Sequence, residues 1–222
     1  TIQPLEEVVK IAKKHGILVH TDAVQCLGKM IIDVQKLGVD FLSLSAHKFY
    51  GPKGIGALFA NNPKMLKPFI IGGGQEKTLR AGTENIVYIA AMGLASEIAI
   101  NSLTENISHL VSLEKYFKEN LKKNFENIIF NGSQSQKLPG LVSTSFPGFS
   151  SDILLIKLDR EEIYVSNGSA CGSGIVKPSH VLSAIGLNKV TNLSTLRFSF
   201  GNSNNLDEIK SLIHILKNKI LI

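Results

Sequence analysis

The sequence predicts an α/β layer with parallel strands followed by a smaller α+β domain, the two meeting near residue 101 (1–101 and 102–222). Three observations carry this. A helix, a strand, a crossover and a second strand follow one another within residues 5–46, which is how parallel strands are joined. Ionisable residues collect just past the ends of these strands, where α/β layers hold their ligands. Beyond Asn101 the texture changes to short strands interleaved with helices.

Leu5, Val8, Val9 and Ala12 recur at helical spacing between Pro4 and Gly16, with proline near the start and glycine just past the end. This helix is expected to cover a sheet. Residues 17–20 read as a β-rich run that ends in Thr21-Asp22-Ala23-Val24-Gln25. Residues 41–46 read as a buried strand that delivers His47 and Lys48 to a loop rich in Gly and Pro. Residues 55–60 read as a third strand. The polar stretch 72–85 has no periodicity, and a loop of this length inside a domain is usually functional. A helix over 87–100 and a long helical pattern carrying Leu103, Ile107, Leu110, Phe117 and Leu121 follow. Strands are then expected at 128–130, 141–146, 163–166 and 196–200, with helices near 152–158, 178–185 and 206–220.

Composition narrows the function. The formal net charge is +6, but the basic residues are scattered and never interleaved with aromatics, so they read as solvated helix faces rather than a nucleic-acid surface. No apolar run is long enough to span a bilayer. Cys26 and Cys171 stand in unrelated contexts, so neither a disulfide framework nor a cysteine metal site is suggested, and no histidine has a partner at metal-ligand spacing. A reducing compartment fits this usage. The chain begins with Thr1 and its first helix follows almost at once, so residues upstream are expected.

Lys48 is the residue to explain. A lysine at the mouth of a buried strand either reaches water or is held desolvated, where the neutral amine becomes a nucleophile or imine former. Asp22, at the end of the neighbouring strand, supplies the carboxylate that a pyridoxal phosphate site needs to keep the pyridine nitrogen protonated; alone it reads equally as a turn former. Gln25 is suited to a phenolic oxygen or to open solvent, and Ser45 and His47 to a phosphate, His47 otherwise being bonded to backbone. Cys171 sits among Ser169, Gly172, Ser173 and Gly174, an accessible setting that favours a reactive thiol over a chance loop cysteine, whereas Cys26 follows a strand end in an apolar setting and reads as structural. Arg197 alternates with aromatics in the last strand, as a carboxylate-gripping arginine or an exposed edge residue.

Taken together, HTDAVQ, SAHKFYGPKGIGAL, GGGQE with RAGTEN, GSACGSG with KPSHVL, and LRFSFG resemble the pyridoxal phosphate-dependent cysteine desulfurases of the NifS/IscS type, within the class V aminotransferase family of fold type I. The resemblance runs from Thr1 to the C-terminal helix. It implies the C-terminal half of a fold type I large domain, with a mostly parallel sheet, followed by the small domain. It implies that Lys48 carries the cofactor, that Asp22 pairs with the pyridine nitrogen and Gln25 with the phenolic oxygen, and that Ser45 and His47 bind the phosphate. His47 stands with Lys48 and Cys171 in the implied catalytic set. Thr83 would reach the cofactor phosphate of the neighbouring subunit, implying a homodimer. Arg197 would grip the carboxylate of L-cysteine and Cys171 would take its sulfur, passing it to an iron-sulfur cluster scaffold or a tRNA-modification carrier. A selenocysteine lyase or aminotransferase of the same fold, and a non-catalytic scaffold, are the competing readings. The family's phosphate-binding loop, ring-stacking histidine and nearby asparagine lie before the position of Thr1, so these residues alone are expected to bind cofactor poorly. The short stretch after Ile220 makes scaffold docking the less secure expectation. A bacterial cytoplasm or an organelle matrix is the expected home.

Overall fold

The computed structural model describes residues 1–168 and 177–221. They fall into two units, Gln3–Asn106 and Ile107–Ile222 with Thr1–Ile2.

The first unit opens with α1 (Leu5–Lys14), which places Glu6 and Glu7 in its first turn and Lys13 and Lys14 in its last, each sign matched to the helix dipole. Its Val9 and Ala12 are buried against Val19, Ala23, Val39 and Leu42. Strand β1 (His20–Asp22) follows, then a short helix α2 (Val34–Leu37) and strand β2 (Phe41–Ser45). Asp33 caps α2 by accepting from the Gln35 and Lys36 N–H groups, and Gly38 ends it in the left-handed region. β1 and β2 are parallel, with His20 opposite Phe41 and Asp22 opposite Ser43. β3 (Gly56–Ala60) returns antiparallel beside β2, since residues 46–55 are too few for a crossover. The sheet of order β1-β2-β3 thus holds one parallel and one antiparallel pair. Helix α3 (Ile86–Asn101), capped by Asn85 accepting from the Tyr88 N–H, packs Ala99 with Ala46 and Phe49.

Helix α4 (Leu103–Asn124) carries the chain into the second unit. There β4 (Ile129–Phe130) and β5 (Leu141–Ser145) are followed by α5 (Ser151–Asp159), α6 (His180–Ala184), α7 (Lys189–Leu193), β6 (Thr195–Ser199) and α8 (Leu206–Ile215), with a final π-helical turn over Leu216–Ile220. The strands form an antiparallel sheet of order β4-β5-β6. Phe117 stacks obliquely on Phe198 at 4.8 Å and edge-on to Phe200 at 5.3 Å, anchoring a core that includes Leu121, Leu154, Leu158, Leu196 and Leu216. Asn192, buried in α7, accepts from the Ser179 N–H and donates to the Ser179 carbonyl and the Ser183 hydroxyl, fixing the start of α6.

Two expected strands are corrected. Ile17 and Leu18 are half exposed, and pairing begins only at His20, where Phe41 lies opposite. Residues 163–165 form no strand; only Ser166 bridges, to Arg197. In both cases β-branched and aliphatic residues supply strand propensity without a neighbouring strand to pair with. The helix expected over 206–220 changes to the π-helical turn at Leu216.

Candidate active site

In the first unit the candidate residues gather at the carboxyl ends of β1 and β2. Asp22 is the last residue of β1, and one of its carboxylate oxygens accepts from the Val24 N–H at 3.0 Å, closing the turn that follows. Its other oxygen has no partner among the described residues. The turn-forming reading of Asp22 is thus met by one oxygen, and the other is left available.

β2 ends at Ser45, and a 3-10 turn, Ala46–Phe49, carries His47 and Lys48. Ala46 and Phe49 point inward and are buried, which leaves His47 and Lys48 on the outside of the turn. The turn is locked by close backbone approach at two glycines. A Cβ on Gly51 would lie 2.9 Å from the Ala46 Cβ, and one on Gly56 would lie 2.6 Å from the Leu44 carbonyl oxygen, so only glycine fits at either place. The GPKGIG loop thus sets where Lys48 emerges. Ser45 Oγ and His47 Nδ1 lie 2.9 Å apart in a hydrogen bond, a hydroxyl–imidazole pair next to the lysine.

After Asp22, Gln25 lies exposed on the turn over residues 23–30, and Lys29 donates to its Oε1 at 3.3 Å. Burial pushes the pKa of Lys29 down, and the charge of Lys48 pushes it further, against the opposing effect of Cys26. Burial likewise pushes the Cys26 thiol up, with Lys29 opposing and Asp22 adding, a setting that disfavours the thiolate. Thr83 is exposed two residues before the Asn85 cap of α3. The loop leading to it is tied by the Gly82 N–H donating to Gln75 Oε1 at 3.2 Å. Glu76, Lys77 and Thr78 are all left-handed, φ 50°, 55° and 67°, an uncommon run for residues with side chains.

The second unit holds Arg197. It lies within β6, opposite Ser143 of β5, and exchanges two backbone hydrogen bonds with Ser166 on its other side. It is therefore an interior strand position, not an edge. Leu196 and Phe198 are buried to either side of it, and Arg197, itself partly buried, has no ion-pair partner among the described residues. Cys171 lies outside the described residues.

Sequence reasoning overlooked two contacts. Lys29 gives a faint signal, its i,i+4 spacing from Gln25 on a turn without helical periodicity. His20 Nε2 and Ser43 Oγ are 2.8 Å apart across β1 and β2, next to Asp22, a pairing that only the strand register reveals.

A family model for class V aminotransferases matches residues 1–212. The chain is 42% identical over 217 residues to the cysteine desulfurase IscS of Dictyoglomus turgidum, covering 98% of this chain and 55% of that protein. It is 42% identical over 203 residues to the mitosomal cysteine desulfurase of Encephalitozoon cuniculi, covering 90% of this chain and 46% of that protein. The X-ray structure of a NifS-like protein from Rickettsia africae superposes with a TM-score of 0.86 at 33% identity, covering 95% of this chain and 55% of that one. The chain spans about half the length of the curated relatives it matches. The fold, the motif order and these likenesses agree, and the chain belongs to the class V aminotransferase family.

Proposed function

We propose that the protein expressed from its complete gene is a pyridoxal phosphate-dependent cysteine desulfurase. It takes sulfur from L-cysteine and hands it, through a persulfide on Cys171, to an acceptor protein such as an iron-sulfur cluster scaffold or a tRNA-modification carrier. One observation carries the reading. The Asp22 carboxylate and the Lys48 amine emerge at the carboxyl ends of neighbouring parallel strands, with the Ser45–His47 pair beside the lysine. This donor set fits the cofactor: an amine for its aldehyde, a carboxylate for its pyridine nitrogen, an amide N–H for its phenolic oxygen, and a hydroxyl and an imidazole for its phosphate.

When bound, the cofactor supplies an electron sink that weakens the bonds at the substrate's α carbon. The rest falls to this chain. Lys48 would hold the cofactor through its amine, and the same Nζ, when free, would be the base for the α proton and the acid that returns one. His47, bonded to Ser45 through Nδ1, would offer its other ring nitrogen to the phosphate. Arg197, with no carboxylate paired to it among the described residues, would bind that of the substrate. The Cys171 thiolate attacks the substrate sulfur: the S–S bond forms as the C–S bond breaks. L-cysteine and a thiol become L-alanine and a persulfide, with no external oxidant. Thr83 would contact the phosphate held by the partner subunit of a homodimer. In this scheme residues 1–101 are the remainder of the cofactor domain and 102–222 the small domain with the cysteine loop. The home is a bacterial cytoplasm or an organelle matrix.

The test is turnover of L-cysteine by the complete protein, with sulfide and alanine assayed together. Wild type yields both, and Cys171→Ser keeps the bound cofactor but loses sulfide. Sulfide release undiminished in Cys171→Ser would move the reading to a lyase. A protein that takes up no cofactor would move it to a scaffold.

A further inference from the structure

The turn between Asp22 and α2 is built by backbone bonds from the Cys26 N–H to the Ala23 carbonyl at 2.9 Å and from the Lys29 and Met30 N–H groups to the Cys26 carbonyl at 3.0 and 3.1 Å. Winding of this kind puts residues four apart on one side, and here those are Gln25 and Lys29. Gly28, at φ +78°, lets the turn lie against Ala99 of α3 and Phe49, the last residue of the turn that carries Lys48; a Cβ there would come within 3.3 Å of the Ala99 Cβ. Gln25, Lys29 and Lys48 are thereby held in one neighbourhood.

A carboxamide presents a donor end and an acceptor end, and an exposed glutamine can turn either toward a ligand. An ammonium can only donate. The Lys29 Nζ bond to Gln25 Oε1 sets the choice, occupying the acceptor end and leaving the Nε2 N–H groups without a partner among the described residues. We propose that Lys29 is a positioning residue that sets the Gln25 carboxamide with its N–H₂ toward the phenolic oxygen of the cofactor. The inference rests on the cofactor reading above. It accounts for a half-buried lysine that the mechanism otherwise leaves without a task. The charged or titratable groups that act on Lys29 are Lys48 and Cys26, and Cys26 in turn feels Asp22, so the ammonium belongs to the cluster at the strand ends.

The test uses the complete protein loaded with pyridoxal phosphate and follows its visible absorption band against pH. Losing either the Gln25 donor or its orientation removes a bond to the anionic phenolic oxygen, so Gln25→Ala and Lys29→Met each move the midpoint of the spectral titration upward by about one pH unit. Lys29→Arg, which still donates to Oε1, restores the wild-type midpoint. In a Gln25→Ala background, Lys29→Met adds less than half of its shift in the wild-type background. Should Lys29→Met not fold, Lys29→Leu takes its place. An unmoved midpoint in Lys29→Met, with Gln25→Ala shifted, overturns the inference. Fully additive shifts overturn it too, because Lys29 would then act as a bare charge. A wild-type protein without any visible band overturns the cofactor reading and this inference with it.

Discussion

In the second unit Phe117, Leu121, Leu158, Leu196 and Leu216 have no exposed surface, whereas in the first Phe69 is 97% exposed and Ile71 85%. Helix α3 shows the contrast most plainly. Its sequence is mostly apolar, yet Ala99 is its one buried residue, and Ile86, Val87, Leu94, Ile98 and Ile100 are exposed. A helix this apolar is suited to enclosure, and among the described residues it is covered only on the side of Ala99, against Ala46 and Phe49. The second unit closes one large core, whereas the first buries two small clusters and leaves Phe69, Ile71 and most of α3 exposed. The ions follow the same division. Glu114 of α4 is buried and satisfied by Lys137, Lys118 and the Gly140 N–H, while Asp22 and Lys48 lie exposed at strand ends.

The largest effect should separate the two kinds of apolar residue. Phe117→Ala removes a ring packed against Phe198 and Phe200 and should cost about 3–5 kcal/mol in denaturant unfolding, whereas Phe69→Ala in these residues should stay within about 0.5 kcal/mol. A comparable cost for Phe69→Ala in the complete protein would mean that its apolar surface is covered there. Next come the ions. Glu114→Ala strands the Lys137 ammonium and the Gly140 N–H and should cost about 2–4 kcal/mol, while Lys48→Ala should leave unfolding within about 0.5 kcal/mol. A large stability loss in Lys48→Ala would make that lysine structural.

A smaller effect concerns strain. Thr78 is β-branched and held at φ 67°, so Thr78→Gly should raise stability by about 1 kcal/mol in thermal unfolding. The smallest is a pH effect in the closed unit. Glu208 completes the capping box of α8, and its hydrogen bonds from Asn204 and the Asn205 N–H hold its carboxyl below the usual range. A carboxyl depressed on folding contributes stability above its unfolded pKa, and that contribution is lost as pH falls through the folded value. The melting temperature of wild type should therefore fall more on acidification than that of Glu208→Gln. Parallel curves would remove the role of the cap.

Much of this was legible in the sequence where a residue carries two signals at once. Leu5, Val8, Val9 and Ala12 with Pro4 and Gly16 give both a period and its ends, and α1 forms there. The exposed position of Lys48 past the end of β2 is legible because a strand runs there into a glycine-rich loop. α2 and α7, four and five residues long, are too short to show a period, although Asp33 with Gly38 and Asn188 give their caps away. Ile17 and Leu18 mislead because an aliphatic run signals burial in a strand, and only the register against Phe41 reveals where pairing starts. The Lys29–Gln25 and His20–Ser43 contacts depend on a turn and on a register, neither of which propensity encodes.

The central claim is that Lys48 carries the cofactor. Reduction of the complete, cofactor-loaded protein with borohydride, followed by proteolysis and mass spectrometry, reads this directly. The account predicts a pyridoxyl phosphate adduct on the peptide containing Lys48, and loss of the adduct in Lys48→Ala. An adduct on Lys29 in the wild-type protein, or none at all, would contradict it.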